Sequence, residues 1–345
     1  MTDALGLATA REIRAQPEDW ARLLAQLPGL GNPFLGRSGM SIIGCGSQFY
    51  LSLAAAWACR DLLGLPAEAV PASEFVAYPR LHRPPGEAPL AVLVSRSGMT
   101  TEVVEACRQA SAMGVETLFL GAVEDAPLAA MATRSVVFPF LHEESVCTTR
   151  STSGFLLALL WWAVNTSPEG GGAEPMRSLP DAGRRLLGEA ERTATEAAGA
   201  FIPRVVAFLG SGPLYGIARE GALKCNEMAL VPTAAFHSLE YRHGPKALAA
   251  REVLVVGLVS RPEEQALLVE MGELGGRTLA IGEEGPGGGI DWSVPVEGEL
   301  GLVGRLPLYL VAVQTLGLAF SRARGLDADR PRNLSRFVDL GEKGG

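Results

Sequence analysis

Ala91-Val-Leu-Val-Ser-Arg-Ser-Gly-Met-Thr100 reads as a short apolar strand that runs directly into a turn of hydroxyl side chains, with a helical pattern opening at Thr101 and Glu102. The same grammar appears on both sides of it. Ser41-Ile-Ile-Gly44 precedes a helical stretch over Phe49 to Leu63, a helical pattern fills Thr101 to Met113, and Thr117-Leu-Phe-Leu120 and Val136-Val-Phe138 follow. Strands that are apolar on both faces and alternate with helices predict an α/β fold, in which a parallel sheet is covered by helices on both sides.

The pattern repeats further along the chain. Ile42-Ile-Gly-Cys-Gly46 resembles Phe208-Leu-Gly-Ser-Gly212, Val92-Leu-Val-Ser-Arg96 resembles Gly257-Leu-Val-Ser-Arg261, and Thr117-Leu-Phe-Leu-Gly121 resembles Thr278-Leu-Ala-Ile-Gly282. The matches keep their order and lie about 160 to 166 residues apart, the signature of two tandem copies of one three-layer αβα domain. Ile13, Trp20, Leu23 and Leu24 at helical spacing form a lead-in helix over residues 1–35, broken at Leu30-Gly-Asn-Pro-Phe34. The first domain is expected over 36–175, ending in the Gly-rich stretch Thr166 to Pro175 as a hinge or surface loop. A helical connector over 176–200, the second domain over 201–330 and a tail over 331–345 complete the division.

The chain has 345 residues, 48% of them hydrophobic and 20% charged, which excludes a disordered chain. Thirty basic against 38 acidic residues give a net charge of -8, so no nucleic-acid partner is expected, and an anion has to be met locally. The five cysteines form no C-x-x-C pair and the four histidines add no zinc spacing, which fits a reducing cytoplasm and no metal. The N-terminus lacks the pattern of a secretory signal. The longest strictly apolar stretch, Phe155 to Val164, is half of the ~20 residues a bilayer requires, so it reads as a buried helix and no membrane partner is expected.

In an open parallel sheet, ligands bind beyond the carboxyl ends of the strands. There, Ser95, Ser97 and Thr100, with Gly98 and the free N–H groups of a helix start, make a pocket for a phosphate monoester. The alternative is an ordinary N-cap, with Ser97 or Thr100 closing the helix and Glu102 or Glu105 complementing its dipole. In the second copy the same point reads Ser260-Arg-Pro-Glu-Glu264, where two carboxylates repel an anion, so one phosphate site per chain is expected. Gly44-Cys-Gly-Ser47 and Gly210-Ser-Gly-Pro213 lack the third glycine at dinucleotide spacing, and no triphosphate P-loop occurs. Glu220, Lys224 and Glu227 share one strip of a helix, either as a solvated face with one ion pair or as part of a site. Glu240-Tyr-Arg-His-Gly-Pro-Lys246 sets His243 on a turn among charges, a placement suited to proton transfer near neutrality or to a structural role.

Taken together, the strand-loop Ile42 to Ser47, the loop Ser95 to Thr100, Gly221-Ala-Leu-Lys-Cys-Asn-Glu227, His243-Gly-Pro245 and the tail Pro331-Arg-Asn-Leu-Ser335 resemble the double sugar isomerase (SIS) domain proteins. They are similar to the isomerase half of glucosamine-6-phosphate synthase and, at Leu239 to Leu248, to glucosamine-6-phosphate deaminase-like isomerases. The resemblance implies that Ser95, Ser97 and Thr100 hold the 6-phosphate, with Ser47 and the backbone of Arg96 beside them. Val146, Cys147 and Thr148, together with Ser335 and Arg336 of a tail that closes the site, touch the sugar. His243, supplied by a partner subunit of a homodimer, opens the ring. Glu227 moves a proton between C1 and C2, and Lys224 stabilises charge beside it. No metal or organic cofactor is implied.

Two departures shape the expected activity. The synthase carries an N-terminal glutaminase, whereas this chain begins Met1-Thr-Asp-Ala, so glutamine-driven synthesis is not expected. The Schiff-base lysine of the synthase is matched by Arg336, whose guanidinium stays protonated. The expected function is therefore an amino-sugar-6-phosphate deaminase/isomerase that turns glucosamine 6-phosphate into fructose 6-phosphate and ammonia. The alternatives are an aldose–ketose isomerase or deglycase of another phosphorylated sugar, and a sugar-phosphate sensor without chemistry.

Overall fold

The computed structural model describes residues 4–167, 174–283, 288–296, 300–338 and 340. Most of the Gly-rich stretch expected as a hinge, residues 168–173, lies outside the described residues, as do 339 and 341–345 of the tail. The elements run in the order α1 (Leu7–Gln26), β1 (Gly39–Gly44), α2 (Ser47–Leu63), β2 (Ala67–Pro71), α3 (Ala72–Ala77), β3 (Pro89–Val94), α4 (Thr101–Ala112), β4 (Glu116–Gly121), α5 (Pro127–Met131), β5 (Arg134–Val137) and α6 (Arg150–Thr166). They continue with α7 (Leu179–Ala200), β6 (Val205–Leu209), α8 (Leu214–Ala229), β7 (Thr233–Phe236), β8 (Val253–Val259), α9 (Pro262–Glu273), β9 (Arg277–Gly282), β10 (Trp292–Pro295) and α10 (Leu302–Ala323). The chain divides into two units. One holds the first sheet (Asp19–Glu143, Arg150–Arg177 and Ser335–Gly345) and the other the second (Met1–Glu18, Glu144–Thr149 and Ser178–Leu334).

The first sheet has the order β2-β1-β3-β4-β5, parallel throughout. Its central strands β1 and β3 are buried along their whole length, which is why they read as unbroken apolar runs. The edge strand β2 alternates between buried and exposed positions and gave no such signal. Gly44 ends β1 where any side chain would collide: a Cβ there would sit 2.7 Å from the backbone of Gln48. Glycine thus lets α2 start directly above the strand end. The apolar run around Phe155 forms the buried core of α6, which packs on α2.

The second sheet has the order β7-β6-β8-β9-β10, again parallel. Taken in chain order, its strands occupy the same places as those of the first sheet. The three repeated sequence pairs fall on β1 and β6, β3 and β8, and β4 and β9. The centre of this unit is α10, packed against α7 and α8. By length and composition it is the one helix among the described residues able to cross a membrane, but 78% of its apolar window is buried inside the protein, as in the core helix of a folded unit. Gly317 is what lets α10 approach α8: a Cβ there would stand 3.2 Å from the backbone of Lys224. That contact fixes the helix bearing the expected proton-transfer residues.

Candidate active site

In the first-sheet unit, the turn after β3 folds back on itself through its hydroxyls. Ser95 Oγ accepts the Gly98 N–H (3.1 Å) and Ser97 Oγ accepts the Met99 N–H (3.2 Å), while Gly98 adopts φ +64°. A hydroxyl that accepts from the backbone keeps its own O–H to donate outward, which is what an anionic oxygen requires. Thr100 occupies the N-cap position of α4 but makes no side-chain capping bond, so the ordinary N-cap alternative does not describe it. Ser47 is buried in the first turn of α2, whose own start is likewise uncapped by a side chain. Because β1 and β3 are neighbours in register, with Ile43 opposite Leu93, the Ser47 turn and the Ser95–Thr100 loop leave the sheet side by side.

Arg96 points its side chain away from this role. It donates to the Arg336 carbonyl (2.7 Å) and to the buried Glu143 carboxylate (3.4 Å), which also accepts the Ser151 hydroxyl (2.5 Å). The tail therefore lies along the loop: the Val338 carbonyl accepts the Thr101 N–H, and the Leu340 N–H donates to Thr101 Oγ1. Ser335 bonds the Phe337 carbonyl. Burial, then the charges of Arg96 and Arg336, hold His142 below the usual imidazole range. Glu143 gave no sequence signal, since nothing marks an isolated glutamate as buried.

In the second-sheet unit, the loop after β8 supplies its own anion. Glu264 accepts the Ser260 N–H (2.8 Å), the Ser260 hydroxyl (3.1 Å) and the Arg261 N–H (3.2 Å), with the Arg261 guanidinium at 3.3 Å. Burial pushes its carboxyl upward, but the donors from Ser211, Ser260 and Arg261 outweigh that and hold it below the ordinary value of 4.5. Of the two carboxylates expected here to repel an anion, Glu264 is seated among the backbone donors.

The same unit holds a buried charge cluster on α8. Lys224 and Glu220 are fully buried, and the Lys224 ammonium donates to Glu227 (2.6 Å) and lies 3.4 Å from Glu220. The solvated-face alternative is therefore wrong for this strip, because α8 turns it inward against its own unit. Burial favours the neutral amine, but the two carboxylates outweigh it and push the Lys224 pKa above its ordinary value. The segment 144–149 belongs to this unit. Val146 N–H donates to the Asp329 carbonyl, the Thr149 carbonyl accepts from Gln314, and Thr148 is half-buried. Cys147 is buried beside Lys224 and Glu227, and burial chiefly pushes its thiol up, keeping it protonated.

His243 is not part of this cluster. It is exposed at the end of a short helical turn (Leu239–Arg242), before Gly244 at φ +122°, and its ring has no hydrogen-bond or ionic partner among the described residues. Its charged neighbours are engaged elsewhere, since Arg242 (2.7 Å) and Lys246 (3.3 Å) both bond Glu270 of α9.

Residues 38–162 match the SIS domain. This segment contains the whole first sheet with Ser47 and the Ser95–Thr100 loop; the match does not extend to the second sheet, which repeats the strand order, so the expected second SIS domain is not shown. The chain is similar to the glutamine–fructose-6-phosphate aminotransferase (isomerizing) of Xylella fastidiosa, at 29% identity over 327 residues, which cover 89% of this chain and 52% of that protein. It thus spans about half the length of the curated relatives it matches. Among solved structures, a glucosamine-6-phosphate deaminase from Thermotoga maritima superposes with TM-score 0.82 and 29% identity, covering 96% of this chain and 99% of that one. A tagatose-6-phosphate ketose/aldose isomerase from Escherichia coli shares the fold at TM-score 0.83 and 24% identity, covering 99% and 98%. The proteins that this chain is similar to thus include an aminotransferase named for fructose 6-phosphate and a deaminase named for glucosamine 6-phosphate.

Proposed function

We propose that this chain is an amino-sugar-6-phosphate deaminase/isomerase acting on glucosamine 6-phosphate. The observation that carries the reading is the Glu227 carboxylate held at 2.6 Å by a lysine with no solvent exposure. Burying such a pair costs several kcal/mol that apolar side chains would not, and a positioned carboxylate beside a fixed ammonium suits proton transfer at a carbon next to a carbonyl. The near full-length likeness to a glucosamine-6-phosphate deaminase at 29% identity supports the substrate class.

In this reading Ser95, Ser97 and Thr100, with Ser47, grip the phosphate through O–H and N–H donors. Once the ring is open, Glu227 takes the proton from C2 and returns it to C1, which leaves a C2 imine. Water adds to that carbon and ammonia departs, giving fructose 6-phosphate. Lys224 offsets the negative charge that develops on the enediol-like oxygen. The exposed His243, without a side-chain partner among the described residues, serves ring opening in a second copy, which makes the working form a homodimer. Ammonia release from glucosamine 6-phosphate by the wild type, lost in Glu227→Gln, is the expected result; equal release by both forms overturns the proposal. The Lys224–Glu227 pair serves an aldose–ketose isomerase equally well. Ketose formation from a 6-phosphosugar without loss of an amine would favour that second reading.

A further inference from the structure

Gln48, the second residue of α2, is buried with 6% exposure, and its Oε1 has no hydrogen-bond donor among the described residues. The rest of the residue is tied down. Its N–H donates to the Cys45 carbonyl (3.1 Å), its carbonyl accepts the Ser52 hydroxyl (2.6 Å), and Gly44 packs against its backbone. The backbone that carries the side chain is thus fixed, and the buried side-chain acceptor is left unspent, at a cost of about 1–3 kcal/mol. A second orphaned acceptor, Glu102 Oε2, lies in the first turn of α4, where the helix dipole itself favours a carboxylate. Gln48 is neutral and gains nothing comparable. Its turn leaves β1 next to the point where the Ser95–Thr100 loop leaves β3.

A phosphate dianion offers only acceptor oxygens, so it cannot satisfy a carbonyl; a sugar hydroxyl can. We propose that Gln48 is a specificity-determining residue whose buried side-chain carbonyl accepts a hydrogen bond from a hydroxyl of the sugar anchored by the Ser95–Thr100 loop. The inference rests on the phosphosugar reading above and adds to it the group that reads the carbon skeleton rather than the phosphate.

The test is calorimetric titration of wild type, Gln48→Met and Gln48→Leu with fructose 6-phosphate and, separately, with inorganic phosphate, alongside thermal melting. Methionine keeps the length of the side chain and removes both polar atoms; leucine provides a second shape should one variant fold poorly. The expected result is binding of fructose 6-phosphate weakened about tenfold, as for one lost hydrogen bond, with inorganic phosphate affinity unchanged and melting temperature unchanged or raised. Equal weakening for both ligands would mean that the amide serves the phosphate or only supports the loop, and would overturn the inference. Unchanged affinity for both would overturn it as well. A wild type that binds inorganic phosphate but no fructose 6-phosphate would instead refute the phosphosugar reading itself.

Discussion

The loops after β3 and β8 stand at the same place in two sheets of identical strand order, yet they treat negative charge in opposite ways. After β3 the chain offers Ser95, Ser97 and Thr100 and no carboxylate within the loop, and the Ser95 and Ser97 hydroxyls accept from its backbone. After β8 it folds Glu264 onto its own Ser260 and Arg261. A strand end followed by a helix start attracts an anion by its backbone alone. Whether that anion is a ligand or a side chain depends on one or two residues. A second contrast follows: the unit with the self-satisfied loop is the one that buries Glu220 and Lys224 and holds the half-buried Glu227 against them. In the proposed reading one unit receives the charge of the ligand and the other carries its own.

The largest expected effect separates these tasks. Glu227→Gln should lower turnover about 10²- to 10⁴-fold while phosphate binding, followed by calorimetry, stays intact; a parallel loss of binding would erase the division of labour. Lys224→Met should come next, because it leaves Glu220 and Glu227 without their cation. Removing one partner of a buried pair costs about 3–5 kcal/mol, readable in urea unfolding, and a loss below about 1 kcal/mol would show that the cluster is wet. The Ser97→Ala/Thr100→Ala double variant should weaken inorganic phosphate by about tenfold or more with little change in melting temperature. In the same titrations the wild type should take up one phosphate per chain.

The smallest effect tests the second loop. Glu264→Gln should cost about 1–2 kcal/mol through its charge-assisted bonds. Its folded pKa lies below 4.5, so its stabilisation is present above that value and is lost as pH falls through the lower folded one. The wild type should therefore lose stability on acidification more steeply than Glu264→Gln in that range. Parallel curves would mean that the carboxylate is not held as described.

Much of this was readable in advance. The central strands announced themselves because both faces are buried, and the repeat of β1, β3 and β4 in β6, β8 and β9 predicted the second sheet. The edge strands β2 and β7 did not, since half-exposed short strands carry no continuous apolar run. The hydroxyl loop was legible from its three alcohols around a glycine. Glu143 as the partner of Arg96, Cys147 beside Glu227, and the orphaned Gln48 amide were not, because each depends on what a distant segment brings near.

Periodicity and residue chemistry, which act between neighbours along the chain, settled the two α/β sheets, the hydroxyl turn and the strip Glu220, Lys224, Glu227. Only folding decided that Glu220 and Lys224 of this strip are buried rather than solvated, that Glu264 fills its own loop and that His243 stands exposed. Burial and pairing are properties of the surroundings, and the electrostatic energy of a charge is set by the dielectric and partners that the tertiary structure places around it.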